Sequence, residues 1–88
     1  MTTTQHERKL DDFPLRDGIT QNEFFRIAGQ PEEKFGSGIA WYMYRLADRD
    51  ELQVSFVPWE FADKAILWGI ILRHADGREE NLDRRYLK

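Results

Sequence analysis

The pattern of apolar and polar residues predicts one short helix in the first third of the chain. Three apolar residues follow helical i, i+3, i+4 spacing: Phe24, Ile27 and Ala28. Thr20 stands where it can cap the helix, and Glu23 stands three residues later, where it can bond back to the cap amide. Gly29 permits the turn after the last helical residue, and Pro31 prevents the helix from continuing. We therefore expect a helix ending at Ala28. We assign Thr20, Glu23, Gly29 and Pro31 a structural role and not a binding one.

Beyond this helix the pattern changes to that of β-strands. Residues 31–38 are predicted as a loop, and residues 39–46 form a segment rich in aromatic and branched side chains. In residues 51–57 apolar and polar side chains alternate, which is typical of a half-buried antiparallel strand. Residues 65–74 are apolar on both faces, and their branched side chains and Gly69 favour a strand over a buried helix. Three strands are thus predicted.

Turns and chain ends complete the predicted organisation. We expect residues 1–9 to be a disordered leader and residues 10–88 to form a single domain, because 88 residues leave no room for a second core. Turns are predicted at 48–50 and at 75–78. The tail is expected to add either a short edge strand or one helical turn.

Composition narrows the class of partner. Lys and Arg are scattered among Asp and Glu at a formal net charge of −3, so no basic stripe is available and a nucleic-acid partner is not expected. There is no cysteine, which excludes disulfides and thiol catalysis and fits a reducing compartment. The polar start does not resemble a signal peptide, and the longest apolar run, 65–72, is too short to span a bilayer. We therefore expect a cytoplasmic protein with no membrane partner.

The residues that could carry chemistry form no convincing catalytic or metal-binding pattern. Neither His6 nor His74 has a second histidine at i+4, so no metal site and no cofactor are expected. Ser37, His74 and Asp76 could be drawn together as a triad, but the glycines around Ser37 lack the strand-turn-helix setting of a nucleophile. The paired carboxylates are interpreted as solvated: Asp11/Asp12, Glu32/Glu33 and Glu79/Glu80. The sequence does not predict an enzyme.

The aromatic residues are the main candidates for function. One helix of about eight residues covers about one side of a three-stranded sheet, so apolar surface is expected on the other side. Exposed apolar surface with Trp and Tyr is typical of binding sites. The candidate residues on this open sheet face, with two from the following loop, are Tyr42, Tyr44, Gln53, Ser55, Trp68, Trp59 and Phe61. Register alone does not decide whether Trp68 or Leu67 points to this face.

Two alternatives to a free binding surface follow from the same residues. In the first, the N-terminal arm, the loop 59–61 and the C-terminal tail fold over the face and bury it, as small domains need every aromatic they can bury. In the second, the aromatic face is the subunit interface of a structural homo-oligomer. The partner is thus expected to be a protein or a second copy of this chain.

The helix motif resembles that of a known family. Gly18-Ile19-Thr20, Glu23-Phe24 and Ala28-Gly29-Gln30-Pro31 are similar to the Gly-Met-Thr, Glu-Val and Leu-Gly-x-Pro signature of the SmpA/OmlA family. That family includes the small outer-membrane lipoprotein of the barrel-assembly machinery, and domains of the beta-lactamase-inhibitor-protein type are related to it. The loop around Ser37, the strand after it and the turn at 48–50 continue the resemblance, which covers about residues 10–77.

This resemblance implies an α+β fold, with one or two short N-terminal helices packed on a three- or four-stranded antiparallel meander. It also implies a binding module and not an enzyme. Two departures limit it. The chain has neither the signal peptide nor the lipid-bearing cysteine of the lipoproteins, and the family pattern does not supply Pro58–Phe61. We therefore expect a small non-enzymatic protein-binding module, or in a sharper form an inhibitor or immunity-type protein, and do not expect the outer-membrane role.

Overall fold

A twisted antiparallel sheet with helices on one side is the architecture of the computed structural model, which describes residues 8–36, 38–58, 60–61 and 63–87. The elements of the described chain are α1 (Gln21–Ala28), β1 (Glu33–Phe35), β2 (Trp41–Arg45), β3 (Glu51–Val57), β4 (Ile66–Arg73), β5 (Glu79–Asn81) and α2 (Asp83–Tyr86). Two 3-10 turns also form, Leu10–Asp12 and Ala47–Arg49. The strands pair in chain order, so each connection is local.

The predicted α+β class and antiparallel meander are confirmed, but the number and place of the elements differ. The described sheet has five strands, because residues 33–35, predicted as loop, pair with β2, and because the tail forms β5 as well as α2. The second α-helix therefore lies at the C-terminal end and not at the N-terminal end. Of the described residues before α1, residues 8–20, only Leu10–Asp12 form a helical turn, and Pro14 follows it closely.

Helix α1 begins and ends where its sequence predicts. The Thr20 Oγ1 accepts a hydrogen bond from the Glu23 amide at 3.2 Å, and Gly29 ends the helix with a φ of 85°. The Glu23 carboxylate does not return to the cap amide in this structure; it pairs with Arg26, whose Nε lies 3.1 Å from Oε1. Phe24 and Ala28 are buried as the stripe predicts, whereas Ile27 is 47% exposed. The apolar face of α1 is therefore narrower than its sequence suggests.

Replacing Thr20 by alanine is expected to lower the free energy of unfolding by about 1 kcal/mol, because the Glu23 amide then loses its capping oxygen. Thr20→Ser is the matched control, since serine keeps the hydroxyl. Urea denaturation of the three proteins measures the difference. An alanine variant as stable as the serine variant would contradict the capping role.

The hydrophobic core lies between α1 and one face of the sheet. The strand residues of the core cluster belong to this face: Tyr44, Leu52, Val54, Phe56, Leu67, Ile70 and Leu72. Met43, 4% exposed, is buried on the opposite face. Phe24 of α1 packs against the strand residues of the cluster, and so do Phe13 and Ile19 from the segment before the helix. Leu82, just before α2, joins the same cluster. The N-terminal segment, α1 and the C-terminal end therefore all cover one face of the sheet.

Strand β4 has two irregular features, a bulge and a bridge to the start of α1, and they determine which way its side chains point. The register with β3 shifts between Ser55 and Phe56, which pair with Gly69 and Leu67, so Trp68 has no partner on β3. Before this bulge, β4 meets the start of α1 through a bridge between Thr20 and Ile66, where the Leu67 amide donates to the Ile19 carbonyl at 2.9 Å. The bulge gives Trp68 an orientation that simple alternation does not predict.

Candidate binding surface

Among the described residues, no helix lies on the side of the sheet opposite α1. Residues paired across antiparallel strands share a face, so the register defines this surface, here called the open face. Its residues are Glu33 and Phe35 of β1, Trp41, Met43 and Arg45 of β2, Glu51, Gln53, Ser55 and Val57 of β3, Ile66, Trp68, Gly69, Ile71 and Arg73 of β4, and Glu79 and Asn81 of β5. Trp68 belongs to it because its ring lies against that of Trp41.

One end of the open face is aromatic and aliphatic. The rings of Trp41 and Trp68 lie 6.4 Å apart at 55°. Phe35, Ile66 and Trp68 are 41%, 42% and 48% exposed. Trp41 lies directly over Gly69, where a Cβ atom would come within 2.7 Å of the indole, so only glycine leaves room for this ring. This end, here called the aromatic end, gathers three exposed large apolar side chains around the Trp41–Trp68 pair.

The other end of the open face is charged in an alternating order. Arg45, Glu51, Arg73 and Glu79 are consecutive cross-strand neighbours from β2 to β5, so the signs run plus, minus, plus, minus; this set is here called the charged row. A concavity of about 270 Å³ lies between this row and Phe35. The open face therefore has a polar rim at one end and an apolar surface at the other.

Two of the predicted site residues lie on the wrong side of the sheet. Tyr42 pairs with Val54 and Tyr44 with Leu52, and both tyrosines pack with the core under α1. The Tyr44 hydroxyl donates to the Gly29 carbonyl at 2.6 Å. Their predicted place on the open face was wrong because β2 has aromatic side chains on both faces, and only the register with β3 separates them.

The remaining predicted residues have mixed outcomes. Gln53 and Ser55 lie on the open face but are buried, and the Ser55 hydroxyl donates to the Ala40 carbonyl at 3.0 Å. Trp68 is exposed there, and Phe61 is 56% exposed in the connection before β4. Trp59 lies outside the described residues. Of the predicted set, Trp68 is therefore the one exposed aromatic that the described sheet presents on this face.

Sequence reasoning missed three residues of the aromatic end: Phe35, Trp41 and Ile66. Trp41 could have been found, because a hairpin with its turn at 48–50 places it on the same face as Ser55. Phe35 could not, because the residues around it were predicted as loop and their three-residue strand has no alternating pattern.

The one described histidine lies between two carboxylates outside the open face. The His74 Nδ1 is 3.7 Å from the Asp50 Oδ2, and its Nε2 is 3.6 Å from the Glu80 Oε1. Asp76, the acid of the imagined triad, instead binds Arg78, whose backbone amide and side chain both donate to it and lower its pKa. Ser37 and His6 lie outside the described residues. The described residues contain no group of three or more metal-ligating side chains.

Comparisons of the chain with known protein families, with characterised proteins and with solved structures give no match. Within the described residues, no helix is long and apolar enough to cross a membrane.

Proposed function

We propose that this protein is a small non-enzymatic protein-binding module of the bacterial cytoplasm that binds its partner with the open face. The observation that carries the proposal is the one-sided packing of the sheet. The described segments that contribute to the core lie on the α1 side, and Phe35, Ile66 and Trp68 remain exposed on the opposite side.

The chemistry of the open face favours a protein partner. Tryptophan is among the residues that contribute most to protein interfaces, and such residues act best inside a ring of polar contacts. Trp41 and Trp68 form such a centre, and the charged row provides a polar rim on one side. The resemblance to the SmpA/OmlA group and to beta-lactamase-inhibitor-type domains supports the same class, because members of that group are mostly binding modules.

The geometry also gives the aromatic end a defined shape. Trp41 is held over Gly69 and contacts Trp68, so the two indoles are ordered before a partner arrives. A surface ordered in advance loses less side-chain entropy on binding than a flexible one does. The aromatic end is therefore suited to act as a preformed contact and not as a mobile one.

Trp68→Ala is expected to weaken partner binding about thirtyfold or more, since truncation of a tryptophan that anchors an interface typically costs about 2 kcal/mol or more. The measurement is capture of partner proteins from a bacterial lysate by the immobilised chain, followed by titration of the captured protein. Ile27→Ala is the matched control, because Ile27 is 47% exposed against 48% for Trp68 but lies on α1, away from the open face.

The two variants distinguish specific binding by the open face from nonspecific adsorption through exposed apolar side chains. Capture that Trp68→Ala loses and Ile27→Ala keeps is the expected result. Equal capture by both variants, with both folded by circular dichroism, would overturn the proposal.

A further inference from the structure

We propose that the open face binds a second copy of this chain, face to face, about a two-fold axis that runs along the strands between β3 and β4. This inference rests on the proposed function of the open face and names its partner. It is carried by the order of charges in the charged row together with the apolar composition of the aromatic end.

The charged row is complementary to itself under this rotation. A half-turn about an axis between β3 and β4 exchanges β3 with β4 and β2 with β5. Glu51 then faces Arg73 of the second copy, and Arg45 faces Glu79 of the second copy. Each of these pairs occurs twice in a symmetric dimer. An axis placed on β3 itself would instead set Glu51 against Glu51 and Arg45 against Arg73, so the charges select one position.

The same axis matches the two ends of the open face. Because the axis runs along the strands, the aromatic end of one copy meets the aromatic end of the other. An axis across the strands would place the charged row on Trp41 and Trp68, and would remove the charges from water without partners. The arrangement with the axis along the strands sets Ile66 and Trp68 on β4 against Val57 and Ser55 on β3 of the second copy, and leaves the ion pairs at the rim.

The charges of the row are available for such pairing. Within the part of the chain that the structure describes, no guanidinium nitrogen of the row lies within 4 Å of a carboxylate oxygen of the row, and Arg45 pairs instead with Glu33, with 3.7 Å between Nη2 and Oε2. Arg45, Arg73 and Glu79 are exposed. Contact with a second copy therefore adds ion pairs without breaking one inside the row.

The size of the open face indicates a weak dimer. Strands lie about 4.8 Å apart and rise about 3.3 Å per residue, so five strands with a seven-residue centre span roughly 20 by 23 Å. A standard interface takes about 800 Å² of accessible surface from each partner. The open face, roughly 460 Å² in projection, is smaller than this, and we expect a dissociation constant in the micromolar-to-millimolar range.

Sedimentation equilibrium of the pure chain, from about 1 µM to about 1 mM, tests the dimer. The wild type is expected to change from monomer to dimer across this range and to dissociate more readily as salt is added. Glu51→Arg and Arg73→Glu are each expected to weaken the dimer about tenfold, because each sets two pairs of like charges face to face.

Combining the two substitutions distinguishes pairing between copies from general charge effects. An equimolar mixture of Glu51→Arg and Arg73→Glu chains is expected to form heterodimers at least as tight as the wild type, since each reversed charge then faces its opposite. The control mixture is Asp11→Arg with Arg16→Glu, which makes the same changes of sign at exposed positions on the core side and should leave the wild-type affinity unchanged.

The outcomes are separable from those of the proposed function. A wild type that stays monomeric at 1 mM (about the upper limit of a weak association) overturns the dimer, while the lysate test of Trp68→Ala still decides whether the open face binds another protein. A dimer that both charge reversals leave intact overturns the proposed axis. If a charge reversal lowers the urea midpoint of unfolding, the neutral variants Glu51→Gln and Arg73→Gln are used in its place. A dimer that these neutral variants do not weaken also contradicts the inference.

Discussion

Phe24→Ala is expected to remove most of the stability of this protein, about 3–5 kcal/mol, because the side chain is fully buried and its loss leaves a cavity at the centre of the core. The ring lies 5.4 Å from that of Phe56, 5.9 Å from that of Tyr44 and 6.4 Å from that of Phe13. It is therefore the contact through which α1, the sheet and the N-terminal segment meet. A domain of this size has a total stability of about 5–10 kcal/mol, so the variant should be close to unfolding.

Urea denaturation followed by far-ultraviolet circular dichroism measures the effect. Ile27→Ala on the same helix is the matched control and should cost less than about 1 kcal/mol, because Ile27 is largely exposed. Phe24→Leu keeps most of the volume and should fall between the two. If Phe24→Ala cost no more than Ile27→Ala, α1 would not be docked through this ring.

Alkaline pH is expected to destabilise the protein through Tyr44. Burial raises the pKa of the Tyr44 phenol well above its usual value near 10, and the positive charge of Arg8 only partly opposes this. The native state therefore keeps this proton at a pH where the unfolded chain releases it. The stabilisation is complete below about pH 10 and is lost as pH rises further, at about 1.4 kcal/mol per pH unit from this one group.

Urea midpoints measured between pH 9 and pH 11.5 (a window set by the usual tyrosine pKa near 10) test this dependence. Tyr44→Phe should cost about 1 kcal/mol at neutral pH, because the hydrogen bond to the Gly29 carbonyl is lost, but it should reduce the alkaline slope. Tyr42→Phe is the control, because Tyr42 lies on β2 and on the same face of the sheet as Tyr44 but is only partly buried. This variant is expected to show the same alkaline slope as the wild type. An unchanged slope in Tyr44→Phe would assign the alkaline loss to other groups.

Elements whose signals are local and consistent could be predicted from the sequence. Helix α1 has a cap, a stop and a stripe within ten positions, and β3 has clean alternation over residues 51–57, so both were placed correctly. Strands β1 and β5 have three residues each and are exposed throughout. Their existence depends on backbone pairing with a neighbour that side-chain patterns do not encode.

The candidate binding surface was harder to predict, because it depends on register. Counting helices against strands predicted apolar surface opposite α1, but it left open whether the N-terminal arm, the loop 59–61 and the tail would cover that surface. The same count did not decide which side chains of β2 face away from α1, because Trp41 and Tyr42 are adjacent and either of them could do so. Trp68 adds a second obstacle, because the bulge opposite Ser55 and Phe56 breaks the alternation on which any assignment of β4 relies.

The bridge between Thr20 and Ile66 has a consequence for how the chain reaches this fold. All strand pairs join neighbours in sequence, so the sheet can grow as a series of hairpins with short loops. At this bridge backbone far apart in sequence pairs directly, with the Gln21 amide donating to the Ala65 carbonyl at 2.8 Å, and the Ala47 amide makes a similar long-range bond to the Arg8 carbonyl at 2.9 Å. Docking the N-terminal segment therefore closes long loops, whereas each strand pair closes a short one, and most of the loop-closure entropy of this fold belongs to these two contacts.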